Sequence, residues 1–321
     1  MNMRNKVTEE LIDRAERLEE QGAMIEALGC WGAVLKQQKE PVFLCHFGRL
    51  AMEVGKLKDA RDAFLEATVL DPHLAVAQEY LGIWHECQGN LEESLSHLNT
   101  SLSIQETASA YTLRGTVQLR LCRVAEARDS FNAALNVDPQ YEEAYYNLGI
   151  SFAHEDLPKA VTFFRKALEL DPEYAKANSE LGWALRRLNE NTEAEYHLRK
   201  AIEFDDNDAW THIYLGNLVW AKRDLSSAEE LFKKAIDLWP NSSIPFWCLA
   251  IFYEYEGRDE EAQNLYQQAL DIDPDDAQAN RFFGIYLKDI GQTAKAKTYL
   301  KRALDLDPED GTVRTLLANL N

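Results

Sequence analysis

Apolar and small residues recur along the chain at helical spacing. Leu215, Gly216 and Val219 share one face of a segment, and Ala228, Phe232 and Ala235 share a face of the next. Spacings of three, four and seven mark amphipathic helices that bury one side. The pattern then repeats. A small residue stands at Ala27, Ala60, Ser94, Ala127, Ala160, Ala194, Ala228, Ala262 and Ala296. Seven positions on come Val34, Ala67, Ser101, Ala134, Ala167, Ala201, Ala235, Ala269 and Ala303. Upstream sits a glycine, at Gly48, Gly82, Gly115, Gly149, Gly182, Gly216 and Gly284. Such residues let two helices approach closely, so each period predicts a pair of packed helices.

The punctuation keeps the same beat. Turn prolines fall at Pro72, Pro139, Pro172, Pro240, Pro274 and Pro308, with gaps of 67, 33, 68, 34 and 34. Glu106 and Asp206 occupy the places where proline is missing. Proline cannot continue a helix, and the aspartate that usually precedes it suits a turn. Pro158 and Pro245 fall instead in the first turn of a predicted helix, where proline is tolerated. Asp156 and Ser243 are the predicted N-caps there. The fifth period is one residue short in its internal turn, near His154.

A helix–turn–helix unit of 34 residues with these small positions resembles the tetratricopeptide repeat family. The resemblance covers nearly the whole chain. Units are expected to begin near Thr8, Pro41, Ala75, Ala108, Glu142, Ala175, Ala209, Ser243 and Ala277, followed by a capping helix over 311–321. Leu316, Leu317 and Leu320 should cover the last second helix, with Arg314 and Asn319 turned to water. One helical hairpin cannot bury its apolar face alone, but a stack of copies can. The resemblance therefore implies a single all-α domain over 1–321: a right-handed superhelical solenoid whose first helices line a concave groove.

Charge narrows the partner. The 34 basic and 54 acidic residues give a net charge of -20, which repels nucleic acid and anionic lipid. No apolar run approaches the length of a membrane span, and the first residues lack the apolar stretch of a signal peptide. Five scattered cysteines without a CxxC pair argue against a disulfide framework and lead us to expect a cytoplasmic protein. The histidines show no zinc-ligand spacing, His85-Glu86-Cys87 points three ways on a helix, and no phosphate loop or nucleophile elbow is present. We expect no cofactor, no metal and no catalytic role.

The informative positions are those that stacking does not need. In the seventh unit, Trp210, Ile213, Tyr214, Asn217 and Trp220 form a second stripe, rotated from the packing face. The resemblance implies that this stripe faces the groove. Trp183 matches it in the sixth unit, Trp247, Ile251 and Tyr255 in the eighth, and Phe282 in the ninth. Early units are mixed there, with Cys45, His46, Arg49, Glu79 and Tyr80. Arg186, Arg187, Arg281 and Lys288 lie among the aromatics. The plainer reading is that the tryptophans thicken the core and the basic stems cover apolar surface. An aromatic patch of this extent marks a binding surface more often.

Two groove chemistries known in the family are not expected. Asn147 and Lys176 match a carboxylate clamp, but Thr112, Thr116 and Glu180 depart from it. An asparagine ladder is broken by His46, Tyr80, Leu113, Glu180, Tyr214, Cys248 and Phe282. The expected function is a scaffold or adaptor that binds a protein or peptide with aromatic or aliphatic anchors and some acidic groups. The alternative is a homo-oligomer that fills its own groove.

Overall fold

The structure, a computed structural model, describes residues 3–320; Asn321, the last residue of the expected cap, lies outside them. Among the described residues there are nineteen α-helices and no strand. They fall into two compact units, Met1–Asp171 and Pro172–Asn321. The first contains α1 (Met3–Glu20), α2 (Met24–Gln37), α3 (Pro41–Glu53), α4 (Leu57–Leu70), α5 (Ala75–Cys87), α6 (Leu91–Ile104), α7 (Ala108–Arg120), α8 (Val124–Val137), α9 (Glu142–Phe152) and α10 (Leu157–Leu170). The second contains α11 (Ala175–Arg187), α12 (Asn191–Phe204), α13 (Ala209–Ala221), α14 (Leu225–Leu238), α15 (Ser243–Tyr255), α16 (Asp259–Ile272), α17 (Ala277–Asp289), α18 (Thr293–Leu306) and α19 (Gly311–Asn319). Each odd-numbered helix up to α17 packs against the even-numbered one that follows it. This is the all-α repeat architecture that the sequence predicts, nine hairpins and a closing helix.

The glycines explain how the hairpins close. A Cβ placed on Gly115 would lie 2.4 Å from Cε1 of Phe131, and one on Gly149 2.4 Å from Cε1 of Phe164. Both rings are fully buried. Each contributes on the order of 2–3 kcal/mol of hydrophobic stabilisation only if the facing helix offers bare backbone. Leucines take the ring's place against Gly82, Gly182 and Gly284.

Two kinds of turn alternate. Inside the hairpin the chain passes through a left-handed residue: Gly22, Gly55, Gly89, Gly257 and Gly291, but also Cys122, Asn189 and Arg223. The fifth hairpin has no such residue. There the shortened turn runs into Asp156, whose carboxylate caps α10 by accepting the Lys159 N–H at 3.2 Å. Between hairpins, Asp71, Asp138, Asp205, Asp273 and Asp307 each accept the N–H two residues on, at 2.9–3.2 Å. That local bond draws the chain out of the helix, and the proline holds it out.

Where proline is absent at Asp206, side-chain bonds do the work. His212, buried on α13, contacts Asp206 Oδ1 through Nε2 at 3.0 Å and the Asp208 carbonyl through Nδ1 at 2.9 Å. Lys234 reaches the other Asp206 oxygen at 2.7 Å. The Lys234 bond, with help from His212, holds the Asp206 carboxyl below its ordinary value.

The end of the chain is covered. Leu316, Leu317 and Leu320 pack with buried Val313 against Leu300 and Ala303 of α18, while Arg314 and Asn319 are exposed. Three cysteines are buried and two, Cys87 and Cys122, are exposed. No described helix is long and apolar enough to cross a membrane.

Candidate functional site

In the second unit the first helices α11, α13, α15 and α17 lie side by side. α13 and α15 are apolar nearly all round, which fits helices flanked by neighbours on several sides. Three of these four first helices, and the closing helix α19, begin on a side-chain cap: Asp208, Ser242, Asp276 and Asp310. The cap of α15 is Ser242, one residue before the Ser243 predicted from sequence. Ser243 is the first helical residue, and its hydroxyl donates to Asp276 at 2.6 Å.

The capping aspartates also reach back to the preceding first helix. Asp276 accepts the N–H groups of Gln278 and Ala279 with one oxygen and, with the other, the Ser243 hydroxyl and Trp247 Nε1 at 3.1 Å. Asp208 accepts the N–H groups of Trp210 and Thr211 and contacts the Ser179 hydroxyl at 3.4 Å. Asp310 caps α19 and pairs with Arg281 at 3.5 Å. A single carboxylate thus starts one helix and ties down a side chain of the preceding first helix.

The tryptophans stand between surface and core. Trp210 stacks on Tyr214 at 5.6 Å and meets Trp239 edge-on at 5.7 Å, and Tyr214 reaches Trp183 at 6.5 Å. Trp247 tilts against Phe282 at 5.2 Å, and Trp220 meets Tyr255 edge-on at 5.3 Å. All five tryptophans are half-buried, as are Tyr214, Asn217, Ile251 and Phe282, while Tyr255 is exposed. Ile213 is the exception. It is only 2% exposed and belongs to the core, because the next hairpins cover more of α13 than one stripe.

The four basic candidates behave differently. Arg187 is exposed, with its guanidinium 5.2 Å from the Trp183 ring. Arg281 is engaged by Asp310, and Lys288 by Asp289. Arg186 is half-buried, and burial lowers the pKa of its guanidinium. Among the described residues it makes no hydrogen bond or ion pair.

Two depressions open on this row. The larger, about 770 Å³, has apolar walls from Trp210, Ile244, Trp247 and Ile272, and Ser242, Asp273 and Gln278 lie among its polar positions. Trp239 and Pro240 extend it along the turn before α15. The smaller, about 390 Å³, is lined by Arg186, Asn217, Trp220, Arg223, Tyr255 and Glu256. The sequence reading missed Trp239, which replaces the usual aspartate before the turn proline. That replacement was its only signal.

On α11, Glu180 holds a half-buried carboxyl group. Burial, and secondarily the charge of Asp208, raises Glu180 from the usual 4.5 to about 7. Among the described residues no group donates a hydrogen bond to it.

In the first unit the corresponding helices carry polar pairs. Arg49 bridges Glu19 and Glu53, and Glu79 accepts the Ser109 hydroxyl at 2.6 Å. Burial pushes the Cys45 thiol up to about 12. His85 stacks on His97 at 5.1 Å, and Glu86 takes Arg120 at 3.1 Å. Among the described residues no three histidine, cysteine, aspartate or glutamate side chains gather in a way that could hold a metal ion.

These features match known repeats. Family models described as tetratricopeptide repeat match residues 112–175, 152–209, 249–279 and 283–310. Tetratricopeptide repeat protein 6 of Homo sapiens is 28% identical over 121 residues, 37% of this chain and 23% of that protein. The probable UDP-N-acetylglucosamine–peptide N-acetylglucosaminyltransferase SPINDLY of Hordeum vulgare is 30% identical over 146 residues, 45% of this chain and 13% of that one. The chain thus spans less than a quarter of the length of either relative. A chain of the APC/C hetero-tetramer Cut9-Hcn1 shares the fold, with a TM-score of 0.68 over 92% of this chain and 58% of that one at 18% identity. With its nine hairpins, its glycine contacts and its turn chemistry in phase with those repeats, the chain is a tetratricopeptide-repeat protein.

Proposed function

We propose that the chain is an adaptor that recognises a segment of a partner protein on the first-helix row of its second unit. An apolar side chain of that segment occupies the depression between Trp210 and Trp247. The observation that carries this reading is the depression itself. It is about 770 Å³, walled by two tryptophans and two isoleucines, and left open by the chain's own side chains. Repeat arrays present extended surfaces of this kind to protein partners. The related fold chain sits in a hetero-tetramer, which agrees with a role in assembly. Half-buried aromatic residues flanked by polar groups are also where binding energy concentrates. Nothing in the reading calls for catalysis.

Panning a random peptide library on the full chain tests it, with Ile244→Asp as the counter-selection. An aspartate in the first turn of α15 suits the helix N-terminus, so the variant should fold normally. Enriched peptides should share an apolar residue and lose at least tenfold in affinity for the variant. No enrichment, or peptides that bind both proteins equally, would overturn the assignment.

A further inference from the structure

The smaller depression bears on what else the partner segment carries. Arg186 lies in the last turn of α11, where a cation suits the negative end of the helix dipole. That role needs only a charge. It leaves the five N–H donors of the guanidinium open, and these match a carboxylate in geometry. The other charges are already committed. Glu256 accepts Trp220 Nε1 at 3.3 Å and lies 3.6 Å from Arg223. Asn217 donates one amide hydrogen to the Ile213 carbonyl at 2.9 Å, which leaves the second for a ligand. Trp220 and Tyr255 wall the space. In a chain of net charge -20, a half-buried, unpaired guanidinium facing an open depression is a local reversal of sign.

The two depressions belong to one track. Trp210 and Asn217 are seven residues apart on α13, and Ile244 and Tyr255 eleven apart on α15. Both separations bring the side chains back to the same helix face. At 1.5 Å per residue they measure about 10 and 16 Å along the axis. Half-buried Tyr214 and Ile251 fill the interval. An extended segment covers that distance in about three to five residues.

We propose that the partner segment carries an aspartate or glutamate three to five residues from its apolar anchor, and that this side chain pairs with Arg186 beside Asn217. The proposal rests on the adaptor reading and adds the chemistry of a second contact. The test uses the peptides enriched on the full chain. They should contain an acidic residue at that spacing. Replacing it by its amide should weaken binding to the wild-type chain about tenfold. The same replacement should cost little on Arg186→Gln, and Arg186→Lys should keep a preference for the acid. Enriched peptides with an apolar anchor but no acid would overturn this proposal and leave the adaptor reading standing. So would an equal loss on wild type and Arg186→Gln. Binding abolished by amidating the peptide's C-terminus, rather than by the side-chain change, would assign the contact to a terminal carboxylate and overturn it. A failure to enrich any peptide would overturn both readings. So would a dimer, seen by light scattering, that buries Arg186 and Trp247.

Discussion

The two units build the same row of first helices from different chemistry. In the first, Arg49 and Glu79 are partnered within the chain, by Glu19 and Glu53 and by Ser109. In the second, half-buried Arg186 and Glu180 make no hydrogen bond among the described residues, and five of the seven tryptophans gather. The caps differ too. Among α3, α5, α7 and α9, only α7 begins on a side-chain cap, Thr107. Stacking is satisfied in both units, so the difference is not needed for the fold. The unit with the better capped helices also carries Arg186 and Glu180, both without a hydrogen bond among the described residues. Stability supplied by Asp208, Asp276 and Asp310 can carry the cost of polar groups held ready for a partner.

The glycine crossings give the sharpest test. Gly115→Ala in the first unit would press a methyl group into the buried Phe131 ring, and should cost about 2–3 kcal/mol in urea unfolding. In the second unit a Cβ on Gly216 would lie 3.1 Å from Phe232 Cε1. There the helix gain of alanine, about 1 kcal/mol, should nearly cancel the strain. Equal losses at the two sites would mean that the space around Phe232 cannot be used.

Much of this was legible in the sequence because it is periodic. The glycines, the seven-residue pairs and the aspartates before proline each serve one local contact, repeated in phase. Trp183, Trp210, Trp220 and Trp247 were legible as a second stripe for the same reason. Four things were not. Ile213 is buried because α13 is covered over a wider arc than its own hairpin requires. Trp239 lies in a turn, outside any helical stripe. The ties from Asp276 to Trp247 and Ser243 join residues 29 and 33 positions apart, and only the packing of successive hairpins brings them together. The choice between Ser242 and Ser243 as cap turned on a single residue, and local pattern leaves that open.

Glu180 should give the next largest effect. Its folded pKa, about 7, lies above the usual 4.5. Between those values the folded state holds more protons than the unfolded chain. Stability should therefore fall as pH rises through that window and stay level above it. Glu180→Gln should remove the penalty, stabilising the chain by about 2 kcal/mol at pH 8 and hardly at all at pH 4. Glu79→Gln in the first unit should gain less, because the Ser109 hydroxyl already offsets part of its burial. Melting curves across the pH range that fail to converge on the acid side would show that Glu180 acts through packing rather than charge.

The smallest effects should come from the hairpin turns. Cys122 in the first unit and Arg223 in the second both hold φ near +60°, where a Cβ crowds the following carbonyl. The equivalent turns at Gly55, Gly89, Gly257 and Gly291 avoid that strain. Cys122 is exposed, so Cys122→Gly should remove strain without emptying a core and should gain about 1 kcal/mol. Arg223→Gly relieves the same backbone but loses the contact with Glu256, worth well under 1 kcal/mol at an exposed site. Its net gain should therefore be smaller than that of Cys122→Gly. It should also free the Glu256 carboxylate beside Arg186, so any acidic peptide bound there should weaken while the fold becomes more stable. A variant that gains stability and leaves peptide affinity unchanged would place Glu256 too far from Arg186 to compete for it.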